Sequence, residues 1–96
     1  MKIIAFNTNL YGTTCHFIPV YGIDGSTHHF LKFSIGNLTN RLISLGEKSS
    51  KPENATMQEV QFTEDQAKDF RECINITRLK LSEDPLTKLW TVSTNQ

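Results

Sequence analysis

Two stretches rich in β-branched and aromatic residues, 14–21 and 27–35, most constrain what this chain can fold into. Each is as long as a typical strand, and the segment Gly22-Ile23-Asp24-Gly25-Ser26 between them carries two glycines, which favour a turn. The sequence therefore predicts a β-hairpin. Apolar residues occur at both alternating sets of positions, so we expect one face of the sheet to cover the core and the other to be partly covered.

Pro19 lies in the middle of the first of these strands. Proline has no backbone N–H to donate to a neighbouring strand, and it is therefore found at sheet edges or at bulges. The sequence predicts that this strand lies at an edge or is bulged at Pro19. An exposed edge strand can pair with a strand of another chain, which makes it a candidate oligomerisation surface.

Shorter patterns predict the elements on either side of the hairpin. Apolar residues favour strands at 3–6 and 57–62, and the polar segment 47–56, which contains Pro52, predicts a mobile loop. After Gly36-Asn37, leucines recur with helical spacing up to Gly46, which favours a short helix built on Leu38, Leu42 and Leu45.

A helix over 64–74 has the clearest start signal in the chain. The Thr63 hydroxyl can accept a hydrogen bond from the backbone of Gln66, whose side chain can reach back, as in a capping box. Two acids in the first turn suit the positive end of the helix dipole. The helical spacing predicts that four residues face inward: Ala67, Phe70, Cys73 and Ile74.

The C-terminal region admits two interpretations. Alternation over 76–81 and a strand-like run over 86–92 predict a hairpin joined by Ser82-Glu83-Asp84-Pro85. Alternatively, Asp84 caps a terminal helix that begins at Pro85 and turns its apolar residues Leu86, Leu89 and Trp90 inward.

Together these elements predict a single α+β domain over residues 1–96, with a small antiparallel sheet of about four to six strands and two helices on one face. A chain of 96 residues has room for one core. No segment has the roughly 18 apolar residues of a membrane span, and the N-terminal segment turns polar too early for a secretory signal. We therefore expect a cytoplasmic protein.

The residues that could support catalysis or metal binding are few and dispersed. His16, His28 and His29 could gather across the hairpin with Cys15, but adjacent strand residues point to opposite faces. The inward position expected for Cys73 favours a structural thiol. The glycines form no phosphate-binding loop. We therefore expect no catalytic residue, metal, cofactor or small-molecule substrate, and we do not expect an enzyme.

Charge is unevenly distributed although the chain is formally neutral. Residues 1–51 carry five bases against two acids, and residues 52–96 carry eight acids against five bases. Within the predicted helix, the spacing i, i+4, i+7 places three carboxylates in a row roughly 6 Å apart. Glu59 and Glu53 could extend this row, whose helical members are Asp65, Asp69 and Glu72. Such a row is either an ordinary solvated helix face or a surface that competes for the basic groove of a nucleic-acid-binding protein.

The hairpin offers the opposite hypothesis, a nucleic-acid-binding module. His28, Phe30 and Lys32 alternate along one face of its second strand, where an aromatic ring and a cation could stack on bases and hold phosphates. Lys32 is the one permanent cation in that strip, whereas nucleic-acid binders usually carry a dense basic patch. We therefore expect no direct contact with nucleic acid.

In general character the chain resembles small phage-encoded inhibitor proteins of the anti-CRISPR kind. The resemblance lies in its length, its lack of a recognisable active site, its many Asn and Thr residues and the acidic segment from Glu53 to Glu72. It implies a stoichiometric inhibitor in the host cytoplasm that docks on a nucleic-acid-handling protein complex, with the acidic surface competing with DNA. The alternative is an oligomerising regulatory or nucleic-acid-binding module that uses the sheet edge and the hairpin.

Overall fold

Seven strands and one helix make up the part of the chain that the computed structural model describes, residues 1–10, 12–35, 43–48 and 50–94. In chain order they are β1 (Lys2–Leu10), β2 (Thr13–Tyr21), β3 (Thr27–Ile35), β4 (Ile43–Lys48), β5 (Thr56–Gln61), α1 (Glu64–Ile76), β6 (Lys80–Glu83) and β7 (Leu89–Ser93). The predicted α+β class is confirmed. The predicted strand count was too low, and the structure describes one helix where two were expected.

The predicted hairpin is confirmed as β2 and β3, which pair antiparallel. Val20 lies opposite His29 while Tyr21 lies opposite Thr27, so the ladder skips one residue near the turn. β4 then pairs with the free side of β3.

The helix predicted around Leu38, Leu42 and Leu45 is wrong at Leu45, the one of the three that the structure describes. Leu45 belongs to β4, where it lies opposite Phe33 of β3, and Leu38 and Leu42 lie outside the described residues. Pairing with β3 gives the backbone N–H and C=O groups of both strands hydrogen-bond partners. The spacing of the leucines does not reveal this interaction between separate segments. The loop predicted over 47–56 is correspondingly shorter, because β4 ends at Lys48 and β5 begins at Thr56.

The sheet forks where β1 and β2 separate. The two strands pair antiparallel from Phe6 opposite Phe17 onward, whereas β7 pairs in parallel with the start of β1 and with the end of β2. The sheet is therefore mixed rather than purely antiparallel as predicted. Pro19 lies beside the fork, between the β2 residues that pair with β1 and those that pair with β7.

Of the two positions expected for Pro19, the edge is wrong, because β2 is an interior strand with β3 on one side and β1 and β7 on the other. The alternative, a bulge, is approached, because the β2–β3 register shifts between Val20 and Tyr21, directly after Pro19. A missing N–H is tolerated there because the neighbouring strand changes at this point. The oligomerisation surface expected at this strand therefore does not exist as an open edge.

The hairpin interpretation of the C-terminal region is confirmed, since β6 and β7 pair antiparallel, and the terminal-helix alternative is wrong. Asp84 caps the turn between them instead of a helix. Its carboxylate accepts hydrogen bonds from the backbone N–H groups of Leu86, at 2.8 Å, and Thr87, at 3.3 Å.

α1 packs against one face of the sheet, which we call the inner face, and the opposite side is the far face. The inner face carries the core residues Ile3, Ala5, Ile18, Val20, Leu31, Phe33 and Val92, which pack with the inward residues of α1. Phe62 leads from β5 into α1 and places its ring centroid 5.6 Å from that of Phe33 and 5.2 Å from that of Phe70. This aromatic chain fixes the helix on the sheet.

Candidate functional site

The start of α1 has the predicted capping box. The backbone N–H of Gln66 donates to the Thr63 hydroxyl at 3.2 Å, and the backbone N–H of Thr63 donates to the Gln66 side-chain carbonyl at 3.0 Å. The inward set is also confirmed, as its four members, Ala67, Phe70, Cys73 and Ile74, are all buried. Because the inward side is fixed in this way, the opposite side of the helix is presented to solvent.

Four residues form a stripe along that outer side, which we call the acidic stripe: Asp65, Asp69, Glu72 and Ile76. Their spacing of i, i+4, i+7 and i+11 places them in one row on the helix surface. Asp65 and Glu72 are exposed, Asp69 is half-buried, and Ile76 is 72% exposed. The stripe thus consists of three carboxylates and an apolar side chain at the C-terminal end.

Ile76 is the member that sequence reasoning missed, because the predicted helix ended at residue 74. In the structure the helix closes with a Schellman-type turn, in which Leu79 N–H bonds to the Ile74 carbonyl and Arg78 N–H to the Asn75 carbonyl. Arg78 adopts the left-handed conformation, with φ of 61°. This position usually holds glycine, so the sequence carries no ordinary stop signal there.

The two bases of α1 lie to one side of the acidic stripe. At 100° per residue, Lys68 and Arg71 fall on the flank of the helix rather than between the acids. The Arg71 guanidinium lies over the Trp90 ring, 5.4 Å from its centroid, and is thereby directed toward β7. Lys68, three residues after Asp65 and four before Glu72, offsets part of the negative charge of the stripe, whereas Arg71 is directed away from it.

The other two predicted site residues, Glu59 and Glu53, are not part of this surface. Glu59 lies opposite Ile4 in the β1–β5 ladder, on the far face, whereas its neighbour Val60 lies opposite the core residue Ile3. Glu53 belongs to the loop 50–55, which also lies against the far face. Both carboxylates are exposed, but neither extends the row formed by Asp65, Asp69 and Glu72.

The loop 50–55 covers part of the far face. Pro52 is buried, and the Lys51 ammonium lies 5.1 Å from the centroid of the Phe6 ring. Beyond the loop, at the fork, a groove of about 300 Å³ has largely apolar walls that include Ile4, Pro19, Tyr21, Met57 and Leu89.

The strip proposed for nucleic-acid stacking lies on the same face but is not an open platform. Phe30 is 6% exposed and packs edge-on against Phe6, with 5.8 Å between ring centroids. A base could not stack on a ring covered in this way. His28 and Lys32 remain exposed on either side of it.

Alternation separates Cys15 from His16 as predicted, but it does not separate His28 from His29, which lie where the β2–β3 register shifts. Cys15 lies on the far face, His16 lies on the inner face, and Cys73 is buried in α1. The rings of His28 and His29 approach with 2.9 Å between their Nδ1 atoms. Within the residues described, no group of three His, Cys, Asp or Glu side chains is placed to share a metal ion.

His16 takes part in a polar network at the edge of the core. Its Nδ1 lies 2.6 Å from the side-chain oxygen of Asn7, whose amide nitrogen donates to the side chain of Gln58. The imidazole also stacks on Phe33, with ring centroids 5.0 Å apart. Burial lowers the pKa of His16 from its ordinary value of 6.5, because the charged imidazolium loses hydration there.

This lowered pKa has a consequence for stability. The unfolded chain takes up a proton at His16 at a higher pH than the folded chain does, so the contribution of His16 is complete above pH 6.5 and is lost as the pH falls below it. We expect the His16→Asn variant to lose less stability than the wild type between pH 7.5 and pH 5. Urea denaturation at both pH values measures this difference, and equal losses in the two proteins would contradict the assignment.

No family model, curated protein or solved structure matches this chain. In the described parts of the chain, no helix combines the length and apolar character needed to cross a bilayer. The acidic stripe of α1 is the best-defined surface, because the capping box and the buried inner side of the helix fix its orientation.

Proposed function

We propose that this chain is a small, non-catalytic inhibitor that binds a nucleic-acid-handling protein complex stoichiometrically, in the host cytoplasm, through the acidic stripe of α1. The observation that carries the proposal is the alignment of Asp65, Asp69 and Glu72 with the exposed Ile76 on one side of the helix. The stripe is held by a rigid, capped element, so its charges are presented in a fixed geometry.

The two kinds of side chain have different roles in this proposal. Fixed carboxylates attract a groove lined by Lys and Arg and increase the rate of encounter, an effect that weakens as salt is added. Ile76 provides apolar area that leaves water on docking, and such a contact stabilises the complex after encounter. Occupying the basic groove would exclude the phosphates that it ordinarily holds.

The nucleic-acid-binding alternative has less support. It required an accessible aromatic ring between His28 and Lys32, and Phe30 is buried against Phe6. The other alternative, oligomerisation through a sheet edge, cannot use β2, because β2 is an interior strand.

A capture experiment tests the proposal. The tagged protein is used to recover partners from host-cell lysate, with and without prior digestion of nucleic acid, and the recovered proteins are quantified by mass spectrometry. We expect one nucleic-acid-handling complex to be recovered equally in both samples, because the contact is between proteins. Recovery that disappears after nuclease digestion would contradict the proposal and favour the nucleic-acid-binding alternative.

A further inference from the structure

Three strands of the sheet have a single paired neighbour among the described residues: β4, β5 and β6. α1 contacts β4 and β6, so the helix lies close to two of these edges. In the described part of the chain it makes no such contact with β5. β5 is therefore the edge that the fold leaves most open.

The sequence of β5 has few of the features that usually protect such an edge. Natural edge strands carry charged side chains, above all lysine, or proline or a bulge, which prevent pairing with another chain; Glu59 is the one charged residue of β5. Thr56–Gln61 contains no lysine or proline, and its register with β1 runs without a shift from Lys2 opposite Gln61 to Asn7 opposite Thr56. Five of its six residues are exposed, including Met57 at 68%, so the strand is accessible to a partner.

The direction of the backbone groups of β5 follows from its ladder. The N–H of Phe62 donates to the Met1 carbonyl at 2.9 Å, so Phe62 directs its backbone groups toward β1. Because these directions alternate along a strand, Val60 and Gln58 also face β1. Met57, Glu59 and Gln61 therefore direct their N–H and C=O groups toward the open edge.

We propose that β5 pairs antiparallel with β5 of a second copy of this chain, across a two-fold axis at Gln58, and thereby joins the sheets of two molecules. In this arrangement Met57 and Glu59 exchange backbone hydrogen bonds with Glu59 and Met57 of the second copy. The interface is isologous, as in most symmetric dimers.

The side chains of β5 favour this register and this occupant. Directly opposed residues must share a face, so a two-fold axis can pass through Gln58 or through Glu59, but not between them. An axis at Glu59 would oppose two like charges, which is destabilising. An axis at Gln58 places each Glu59 opposite a Met57 and each Thr56 opposite a Val60. Of these two registers, the one with its axis at Gln58 avoids placing like charges directly opposite each other.

The dimer would have a consequence for the acidic stripe, although it does not depend on the proposed function. A two-fold axis perpendicular to the sheet keeps the inner faces of both copies on the same side. Two α1 helices, and hence two acidic stripes, would then be presented in one direction. A partner with two basic sites in reach would be bound more tightly by the pair than by a single stripe.

Sedimentation of the untagged protein over a range of concentrations tests the dimer, with Glu59→Pro compared with Glu59→Gln. Proline at 59 removes an N–H that points to the open edge and leaves the β1 ladder intact, while glutamine keeps that N–H. We expect wild type and Glu59→Gln to dimerise and Glu59→Pro to dissociate at least about tenfold more readily. A wild-type protein that stays monomeric, or a dimer that Glu59→Pro leaves unchanged, would overturn the proposal.

A disulfide experiment tests the register even if Glu59→Pro does not fold. At the two-fold axis, two residues that both face β1 form a non-hydrogen-bonded pair with Cα atoms about 4.5 Å apart, within disulfide range. We expect Gln58→Cys to form a covalent dimer under mild oxidation. We expect no covalent dimer from Gln61→Cys, because residue 61 lies far from its symmetry mate. We also expect none from the wild type, which has only its native Cys15 and Cys73. Equal cross-linking in all three proteins, or none in Gln58→Cys, would contradict the proposed register.

Discussion

The Phe70→Ala variant is expected to lose about 3–5 kcal/mol of folding free energy, a large fraction of the stability of a domain of this size. Phe70 is 0% exposed and lies between the helix and the sheet, against Phe62. Removing its ring leaves a cavity beneath α1 that Phe62, itself packed against Phe33, cannot fill by moving. Because the acidic stripe lies on the other side of this helix, its geometry depends on the same contact.

Urea denaturation followed by circular dichroism measures this loss, with Ile23→Ala as the matched control. Ile23 is an equally apolar residue at the hairpin tip but is 76% exposed, so its truncation should change stability by less than about 0.5 kcal/mol. If Phe70→Ala were no more destabilising than Ile23→Ala, the aromatic chain would not be what holds α1 on the sheet.

The second large effect is expected on binding, from the pair of substitutions Asp65→Lys and Glu72→Lys. Both residues are exposed, so the reversal should leave the core unchanged, whereas the half-buried Asp69 is left in place. Each reversal removes an attraction and adds a repulsion against a basic partner. Together they should weaken binding about tenfold or more at low salt, with the loss decreasing as salt is added.

The matched control reverses two exposed acids elsewhere, with Glu53→Lys and Glu83→Lys. It changes the net charge of the chain by the same amount as the pair on the stripe. Glu53 lies in the loop against the far face and Glu83 in β6, so neither shares the outer side of α1. If both pairs weakened binding equally, total charge rather than the stripe would account for the affinity.

The elements that the sequence predicts correctly are those with local signals. The capping box at Thr63 and Gln66 lies within one helical turn, and the inward spacing of Ala67, Phe70, Cys73 and Ile74 spans about two turns. The β2–β3 hairpin is likewise defined by two adjacent stretches and a short turn. In each case the residues that make the decisive contacts are neighbours in sequence.

Errors arise where a distant segment decides the structure. The assignment of Leu45 to a strand depends on pairing with β3, and the interior position of Pro19 depends on β7, a strand more than seventy residues further along the chain. Neither partner can be recognised from the local pattern. Similarly, α1 continues to Ile76 and ends where Arg78 takes the left-handed conformation that glycine usually provides, so the local sequence does not mark this end.

The position of Glu59 could have been predicted more fully. Alternation along 57–62 already places Glu59 on the side opposite Val60 and Phe62, the apolar pair that must face the core. Since α1 also packs on the core, a carboxylate on the other side of the sheet cannot continue a row on the helix. The sequence therefore contained enough to place Glu59 away from the helix surface. The prediction required combining the alternation of the strand with the packing of α1 on one face of the sheet.

Displacement of DNA shows directly whether the acidic stripe occupies the basic groove of the partner. The complex recovered by capture is loaded with labelled DNA, and the wild type, the Asp65→Lys/Glu72→Lys variant and the Glu53→Lys/Glu83→Lys variant are titrated into it at low salt. The account predicts that the wild type and the variant away from the stripe release the DNA at similar concentrations, whereas the stripe variant needs about tenfold more protein. Equal displacement by all three proteins would contradict it.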